Sequence, residues 1–224
     1  MRHTLFITGT DTGVGKTLLT RLLTVFLRRR GVKVAAFKPL CSGGRADARA
    51  LHAALGGELT LDEINPWHFR APITPSLAAH REKKSVSLAD VLAHIRARQA
   101  PFEVALIEGA GGLLSPLGIN FDSRDLIAAL RARPVIVAPN RLGVINHVRL
   151  TWAALPTNVR NRAKVVLMSP AKPDAASATN ARLLSSWIPQ RNLFTLPWLG
   201  EEFDPASVIR TGQVGRTLRA LAEF

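Results

Sequence analysis

Gly9-Thr10-Asp11-Thr12-Gly13-Val14-Gly15-Lys16-Thr17 stands between the apolar run Leu5-Phe6-Ile7 and an amphipathic stretch from Lys16 to Arg30. A strand, a glycine-rich turn ending in Gly-Lys-Thr and a helix, in that order, is the context of a phosphate-binding loop, or P-loop. Glycines let backbone N–H groups turn toward phosphate oxygens with no side chain in the way. The helix opening at Lys16 aims its positive end at the same place. Lys16 is placed to reach the β- and γ-phosphates of a nucleotide, and the Thr17 hydroxyl to hold Mg²⁺. Gly9 and Gly15 enclose five residues where the simple pattern has four, so Thr10 takes the first glycine position.

Outward from this loop, apolar strand-like runs alternate with helical patterns to the end of the chain. This predicts an α/β fold: a mostly parallel sheet flanked by helices on both faces. After Leu5–Ile7 the expected strands are Val32–Phe37, Val104–Ile107, Val135–Ala138 and Val165–Met168, with Leu193–Leu196 at an edge. Helices are expected over about 16–30, 46–55, 87–98, 123–131, 145–154, 175–187 and 214–222. Gly31 suits the position just past the first helix. Ser87 with Asp90 reads as a capping box. The Pro-bearing stretch from Asn65 to Ser76 reads as a long connection, and long loops at strand ends of such sheets often bear on a site.

The 224 residues carry no repeat or linker, so 1–224 is expected to be a single domain with a sizeable core. The lone Cys41 excludes an internal disulfide and fits a reducing compartment. No apolar run approaches the roughly 20 residues that span a bilayer. The first residues reach the glycine loop too soon for a signal peptide, so the expected location is cytoplasmic. The net charge of +14 raises the question of a nucleic-acid partner. Yet the 23 Arg and 7 Lys are spread along the chain without interleaved aromatics. The dense run Arg28-Arg29-Arg30 closes a helix, where cations suit the dipole. A solvated basic surface that steers anionic small molecules is the simpler reading.

Lys38 follows the second strand directly and should share the carboxyl-end rim with the P-loop. There it can offset negative charge during phosphoryl transfer, and as a strand-end site it is expected to tolerate Lys38→Met with little loss of stability; alternatively it is a solvated strand-end lysine. Glu108 ends the third strand ahead of Gly109-Ala110-Gly111-Gly112, and is either a metal-holding acid or an exposed carboxylate. Asp47 is equally a third metal ligand or a helix-start carboxylate favoured by the dipole. Cys41 reads as a packed thiol and Ser42 as a turn residue. The segment Arg141 to His147 opens a helix after the fourth strand, whose free N–H groups form an anion site suited to a carboxylate, and His147 reads as structural.

The segments 9–17, Lys38-Pro39-Leu40-Cys41-Ser42-Gly43, Glu108–Gly112 and Arg141-Leu142-Gly143-Val144-Ile145-Asn146-His147 together resemble dethiobiotin synthetase, in that family's order. So do the loops Asn65–Pro75 and Leu196-Pro197-Trp198-Leu199. The resemblance covers most of the chain, and the five-residue spacing of the P-loop is the family's own. It implies a P-loop NTPase fold and closure of the ureido ring of dethiobiotin from 7,8-diaminononanoate, CO₂ and ATP, with Mg²⁺. Lys16 and Lys38 are implied as catalytic. Gly13, Val14, Gly15, Lys16, Thr17, Leu18, Asp47, Glu108, Gly109, Ala110, Gly111, Ser169, Pro170, Pro197, Trp198 and Leu199 are implied at ATP. Thr17, Asp47 and Glu108 are implied at the metal. Thr12 and Ser42 are implied at the diamine or carbamate. Gly143, Val144, Ile145 and Asn146 of a second subunit are implied at its carboxylate, hence a homodimer.

Two departures from the family carry consequences. The link from Ser42 to Asp47 is short, so the metal role of Asp47 depends on how that gap is bridged. Ser169 stands where the family places an Asn against the base, and it lacks the paired donor and acceptor of an amide. Relaxed nucleotide selectivity follows. Two other readings compete: a partitioning ATPase holding DNA with its basic surface, and a related amidating or cyclising synthetase.

Overall fold

The structure is a computed structural model describing residues 3–210 and 212–223; Met1, Arg2, Thr211 and Phe224 lie outside that description. In chain order the elements are β1 (His3–Gly9), α1 (Lys16–Arg29), β2 (Val34–Phe37), β3 (Leu40–Ser42), α2 (Ala46–Ala54), α3 (Leu61–Ile64), β4 (Trp67–Phe69) and α4 (Pro75–Arg81). Then come α5 (Leu88–Arg98), β5 (Val104–Glu108), α6 (Ser123–Leu130), β6 (Arg133–Pro139), α7 (Val144–Ala154) and α8 (Thr157–Arg160). The last are β7 (Lys164–Met168), α9 (Ala175–Leu184), β8 (Leu193–Leu196), α10 (Pro205–Val208) and α11 (Gly212–Leu221).

Six strands form one sheet in the order β2-β5-β1-β6-β7-β8, every pair parallel. Apart from the half-buried edge strand β8, the strands are largely buried apolar runs, as a sheet covered on both faces requires. From β1 the chain crosses to β2 in one direction, but from β5 to β6, β7 and β8 in the other. Right-handed crossovers therefore put α1 on one face and α6, α7 and α9 on the other. The packing agrees: α1 contacts α2, α10 and α11, whereas α5 contacts α6 and α7 contacts α9. Phe6, Ile7, Leu19, Leu22, Leu23, Phe37, Leu106 and Ile136 are fully buried in one continuous core.

The start of the second strand is shorter than the apolar run suggested. Gly31, at φ 76°, lets the chain turn back so that its N–H donates to Arg28 O (2.9 Å) and that of Val32 to Leu27 O (3.1 Å). That glycine-closed helix end holds Val32, and the strand begins at Val34. Ser87 and Asp90 make the expected reciprocal cap of α5. The stretch from Asn65 to Ser76 is a connection only in part. It contains β4, which pairs with β3 in a second, two-stranded parallel sheet, and the first residues of α4. This small sheet folds over the carboxyl end of β2 and carries Ser42. No helix among the described residues is long and apolar enough to cross a membrane.

Candidate active site

A cavity of about 640 Å³ opens at the carboxyl ends of β1, β2 and β5, within the range typical of small-molecule sites. One wall is the P-loop and the first turn of α1: Thr12, Gly13, Gly15, Lys16, Thr17 and Leu18. Gly15 is the N-cap of α1 at φ 97°, a left-handed conformation that suits glycine, and no side chain caps this helix. With no acid in its first turn either, the helix start presents unpaired N–H groups to an anion. Val14 is buried beneath the loop. A second wall holds Lys38, Cys41, Ser42 and Asp47; a third holds Glu108, Ala110, Gly111 and Ser115. The fourth wall is Pro72, Ile73, Thr74 and Pro75, which sequence reasoning did not assign to the site.

The charged groups at the cavity floor are bonded to one another. Lys38 Nζ donates to Glu108 Oε1 (2.6 Å) and Gly109 O (3.1 Å) and pairs with Asp47 Oδ2 (3.0 Å). The Thr17 hydroxyl donates to Glu108 Oε1 at 2.7 Å. The Lys38 and Glu108 side chains are 4% and 0% exposed, so neither the solvated lysine nor the exposed carboxylate exists. Burial opposes the Lys38 charge, but the two carboxylates outweigh it and hold its pKa above the ordinary lysine value. Burial likewise works against the Asp47 carboxylate, and Lys38, Thr17 and Lys16 overcome it and lower its pKa. Lys16 differs. Burial, reinforced by the Lys38 charge, brings its pKa down to about 8 despite Glu108, Asp47 and Asp11. Its Nζ donates to Asp11 O at 2.7 Å, folded back onto its own loop.

Asp47 reaches this cluster because the short link after Ser42 is stapled. Gly43, at φ 76°, packs so closely on Pro72 that an added Cβ would lie 2.8 Å from the proline Cβ. Arg45 donates to Leu61 O (2.7 Å) and Asn65 O (2.9 Å) and pairs with Asp62 (2.8 Å). The buried Asn65 amide donates to Lys38 O (2.7 Å) and accepts from Cys41 Sγ and Arg45 Nε, both at 3.1 Å. Asn65 is a positioning residue that the sequence did not reveal. Cys41 is buried, also donates to Gly44 O, and burial raises its pKa: a packed thiol.

Thr17, Asp47 and Glu108 thus converge, and Glu108 Oε2 is buried with no hydrogen-bond partner among the described residues. A hydroxyl and two carboxylates, one of them with an orphaned oxygen, beside a phosphate loop fit Mg²⁺, which takes few protein oxygens together with substrate phosphates.

The remaining candidates lie elsewhere on the rim. Ser169 and Pro170 follow β7, whose Met168 packs against the P-loop: a Cβ on Gly15 would lie 3.1 Å from Met168 Cε. Pro197, Trp198 and Leu199 follow the neighbouring β8, with Trp198 51% exposed. None of these five lines the cavity. Gly143, Val144, Ile145 and Asn146 do not line it either; Gly143, Asn146 and His147 are exposed at the uncapped start of α7.

Residues 3–204 match the family model described as an AAA domain. An ATP-dependent dethiobiotin synthetase of Anaeromyxobacter dehalogenans (strain 2CP-C) is 38% identical over 225 aligned residues, spanning 98% of this chain and 99% of that protein. The chain belongs to the dethiobiotin synthetase family. The Bacillus velezensis ATP-dependent dethiobiotin synthetase is 41% identical over 151 residues, 65% of each chain. Among solved structures, a ParA bound to nonspecific DNA superposes with a TM-score of 0.60 at 11% identity, covering 99% of this chain and 97% of that one. The hydrogenase maturation factor HypB of Archaeoglobus fulgidus gives 0.52 at 17%, covering 98% and 88%. At such identities the likeness is one of fold, here that of the P-loop NTPases. The likeness to the Anaeromyxobacter protein, by contrast, is one of sequence and extends over 98% of this chain.

Proposed function

We propose that the protein closes the ureido ring of dethiobiotin from 7,8-diaminononanoate, CO₂ and ATP, a step of biotin synthesis. The observation that carries this reading is the single cavity joining a phosphate loop to a second lysine and a mixed wall. Lys16 and Lys38 face the same space as Thr12, Ser42 and the apolar Pro72, Ile73 and Pro75. A nucleotide's terminal phosphate and an aliphatic diamine can meet there.

One amine of the substrate adds to CO₂ and loses a proton, giving a carbamate. A carbamate oxygen attacks the γ-phosphorus, and the bond to ADP breaks. The neighbouring amine then attacks the carbonyl of the mixed anhydride, loses its proton and expels phosphate as the ring closes. Lys16 turns from Asp11 O to the β- and γ-phosphates, and Lys38 faces the carbamate and the transferring group, offsetting charge where it develops. Gly13, Gly15, Thr17 and Leu18 supply N–H groups to the phosphates. Thr17, Asp47 and Glu108 would hold Mg²⁺, which neutralises phosphate charge when bound. Ser169, Pro170 and the Pro197–Leu199 loop flank the base. Thr12 and Ser42 contact the carbamate end of the diamine.

The carboxylate at the far end of the diamine is assigned to the start of α7 of a second subunit, in a homodimer. Support comes from its uncapped, exposed start and the apolar side chains beside it, Leu142 at 82% and Leu150 at 62% exposed. In this reading residues 1–224 act as one cytoplasmic domain, and the +14 charge steers anionic reactants. Protein given Mg-ATP, bicarbonate and the diamine should form a cyclic urea, seen by mass, with one phosphate released per ring. Nucleotide hydrolysis that ignores the diamine and rises with DNA would overturn the proposal in favour of a partitioning ATPase.

A further inference from the structure

The ammonium of Lys38 is surrounded by three oxygens: Glu108 Oε1 at 2.6 Å, Asp47 Oδ2 at 3.0 Å and Gly109 O at 3.1 Å. An ammonium has three protons to donate. In this arrangement Lys38 therefore has none left for a phosphate or a carbamate, although the reaction asks it to face both. Two of the three oxygens belong to the carboxylates that, with Thr17, make up the metal set. Glu108 Oε1 is contested most directly, because it accepts from Lys38 and from Thr17 at once.

A divalent cation among Thr17, Asp47 and Glu108 and an ammonium on the same two carboxylates are like charges in one cluster: the ammonium takes Glu108 Oε1 and Asp47 Oδ2, and Glu108 Oε2 is left without a partner among the described residues. Their repulsion is strengthened by the burial of Lys38 and Glu108, while Asp47 stays half exposed. Entry of one cation therefore favours displacement of the other.

We propose that Lys38 is a placeholder for the metal: its ammonium keeps Asp47 and Glu108 together until metal-bound nucleotide arrives, and is then displaced into the cavity toward the second reactant. The proposal deepens the reading above and rests on its metal assignment, not on the diamine. It explains how two carboxylates can be kept adjacent in a buried site without the ion. It also makes the metal and the nucleotide enter as one unit. A bare ion would have to evict the ammonium with nothing to offer it, whereas phosphate oxygens supply new acceptors. Lys38 is then freed for phosphoryl transfer only when the metal is in place.

The test is a Mn²⁺ titration of nucleotide-free protein, reading free ion by electron paramagnetic resonance, for wild type, Lys38→Met and Lys38→Met/Asp47→Asn. Lys38→Met should bind Mn²⁺ at least tenfold more tightly than wild type, Mg²⁺ should compete, and Asp47→Asn should abolish the gain. Thermal melts give an independent reading: Lys38→Met should melt lower without metal and recover with Mn²⁺, while wild type does not shift. If the variant is unfolded without metal, refolding on adding Mn²⁺, followed by circular dichroism, is the supporting result. Equal Mn²⁺ affinity in wild type and Lys38→Met, a gain that survives Asp47→Asn, or a variant that stays unfolded at saturating Mn²⁺ overturns the proposal. No titration contains nucleotide or diamine. Tighter Mn²⁺ binding without ring formation would thus remove the assigned reaction and leave the placeholder standing, and the converse removes only the placeholder.

Discussion

On the β2–β5–β1 side of the sheet rim, the reactive groups are bonded to one another: buried Lys38 to buried Glu108 and half-exposed Asp47, and the Thr17 hydroxyl to Glu108. On the β6–β7–β8 side the polar groups are bonded too, but to the scaffold. The Asn140 amide donates to Ser177 O (2.9 Å) and accepts from Asn180 (2.9 Å), which also donates to Arg141 O (3.2 Å). Ser169 N–H is given to Leu196 O (2.9 Å), and Met168 O accepts from Asn140 N (2.8 Å). The first side stores reactive charge; the second stabilises the fold and leaves little for a ligand to recognise. The comparison teaches that this site is built for what happens at the phosphate more than for which base carries it.

The sharpest way to break that contrast is Lys38→Met. If the buried cluster exists for chemistry, kcat for ring closure should fall about a hundredfold or more, roughly 3 kcal/mol of transition-state stabilisation. Nucleotide Kd, which rests on the P-loop and Lys16, should change far less. The sequence-based expectation that the fold would hardly notice is corrected by the burial of Glu108. Removing one partner of a buried pair costs about 3–5 kcal/mol, so metal-free melts should show a clear loss. Near-normal ring closure in folded protein would show the cluster to be structural.

Asn65→Leu tests whether the cluster is positioned from outside. The variant strips partners from Lys38 O, Arg45 Nε and Cys41 Sγ. A buried carbonyl left unpaired, here that of Lys38, costs about 1–3 kcal/mol, so a Tm fall of roughly 2–12 °C is expected for a chain of this size. Below the melt, kcat should drop with little change in nucleotide Kd, because Asn65 bonds the Lys38 and Asp47 side of the site. A Tm loss with unchanged kcat would reduce Asn65 to a structural residue.

How much of this was legible in the sequence follows from range. The P-loop, the six main strands and the caps at Gly31 and Ser87 are local patterns, and each is found within two residues or so of its expected place. β3 and β4 are three residues each, too short for a periodic signal, and pair across the intervening α2 and α3. The start of α4 had a readable sign, Pro75 at its first position, hidden in a Pro-bearing stretch. The burial of Lys38 depends on a carboxylate 70 residues away, and Asn65 acts on the Lys38 carbonyl, so neither leaves a local mark. The metal role of Asp47 hung on a gap, and the staple of Gly43, Arg45 and Asn65 that bridges it is tertiary.

On the phosphate side a gentler probe is pH. Lys16, with a pKa of about 8, is half deprotonated at that pH before nucleotide binds. Phosphates favour its charged form, so binding takes up a proton above pH 8. The sign follows: affinity is level below about pH 8 and weakens above it, with Kd rising up to about tenfold per pH unit. Calorimetry in buffers of different ionisation enthalpy would count the proton. Lys16→Arg, which keeps its charge, should bind nucleotide without that slope. A wild-type Kd flat to pH 9.5 would mean that Lys16 is not the group that meets the phosphates.

The smallest expected effect lies on the other side of the rim, in the choice of base. A site that pairs a base edge with buried donors and acceptors rejects wrong bases by large factors, because mismatched groups go unpaired. Here both nearby side-chain amides are spent, Pro170 and Pro197 have no N–H, and the Ser169 N–H is taken; the side chains left are the Ser169 hydroxyl and the half-exposed Trp198, beside the backbone groups of Trp198 and Leu199. Stacking on an indole contributes about 1–3 kcal/mol per base and tolerates every base, since each has a π-face. CTP, GTP and UTP should therefore support ring closure with kcat/KM within about tenfold of ATP, that is, within roughly 1.4 kcal/mol. Trp198→Ala should weaken all four nucleotides to a similar degree and leave their ranking intact, because it removes a face and not an edge. A thousandfold preference for ATP, or a Trp198→Ala loss confined to ATP, would show that an edge is read after all. The poverty of the β6–β8 rim would then be a property of the uncomplexed fold alone, and the contrast between the two sides would not survive nucleotide binding.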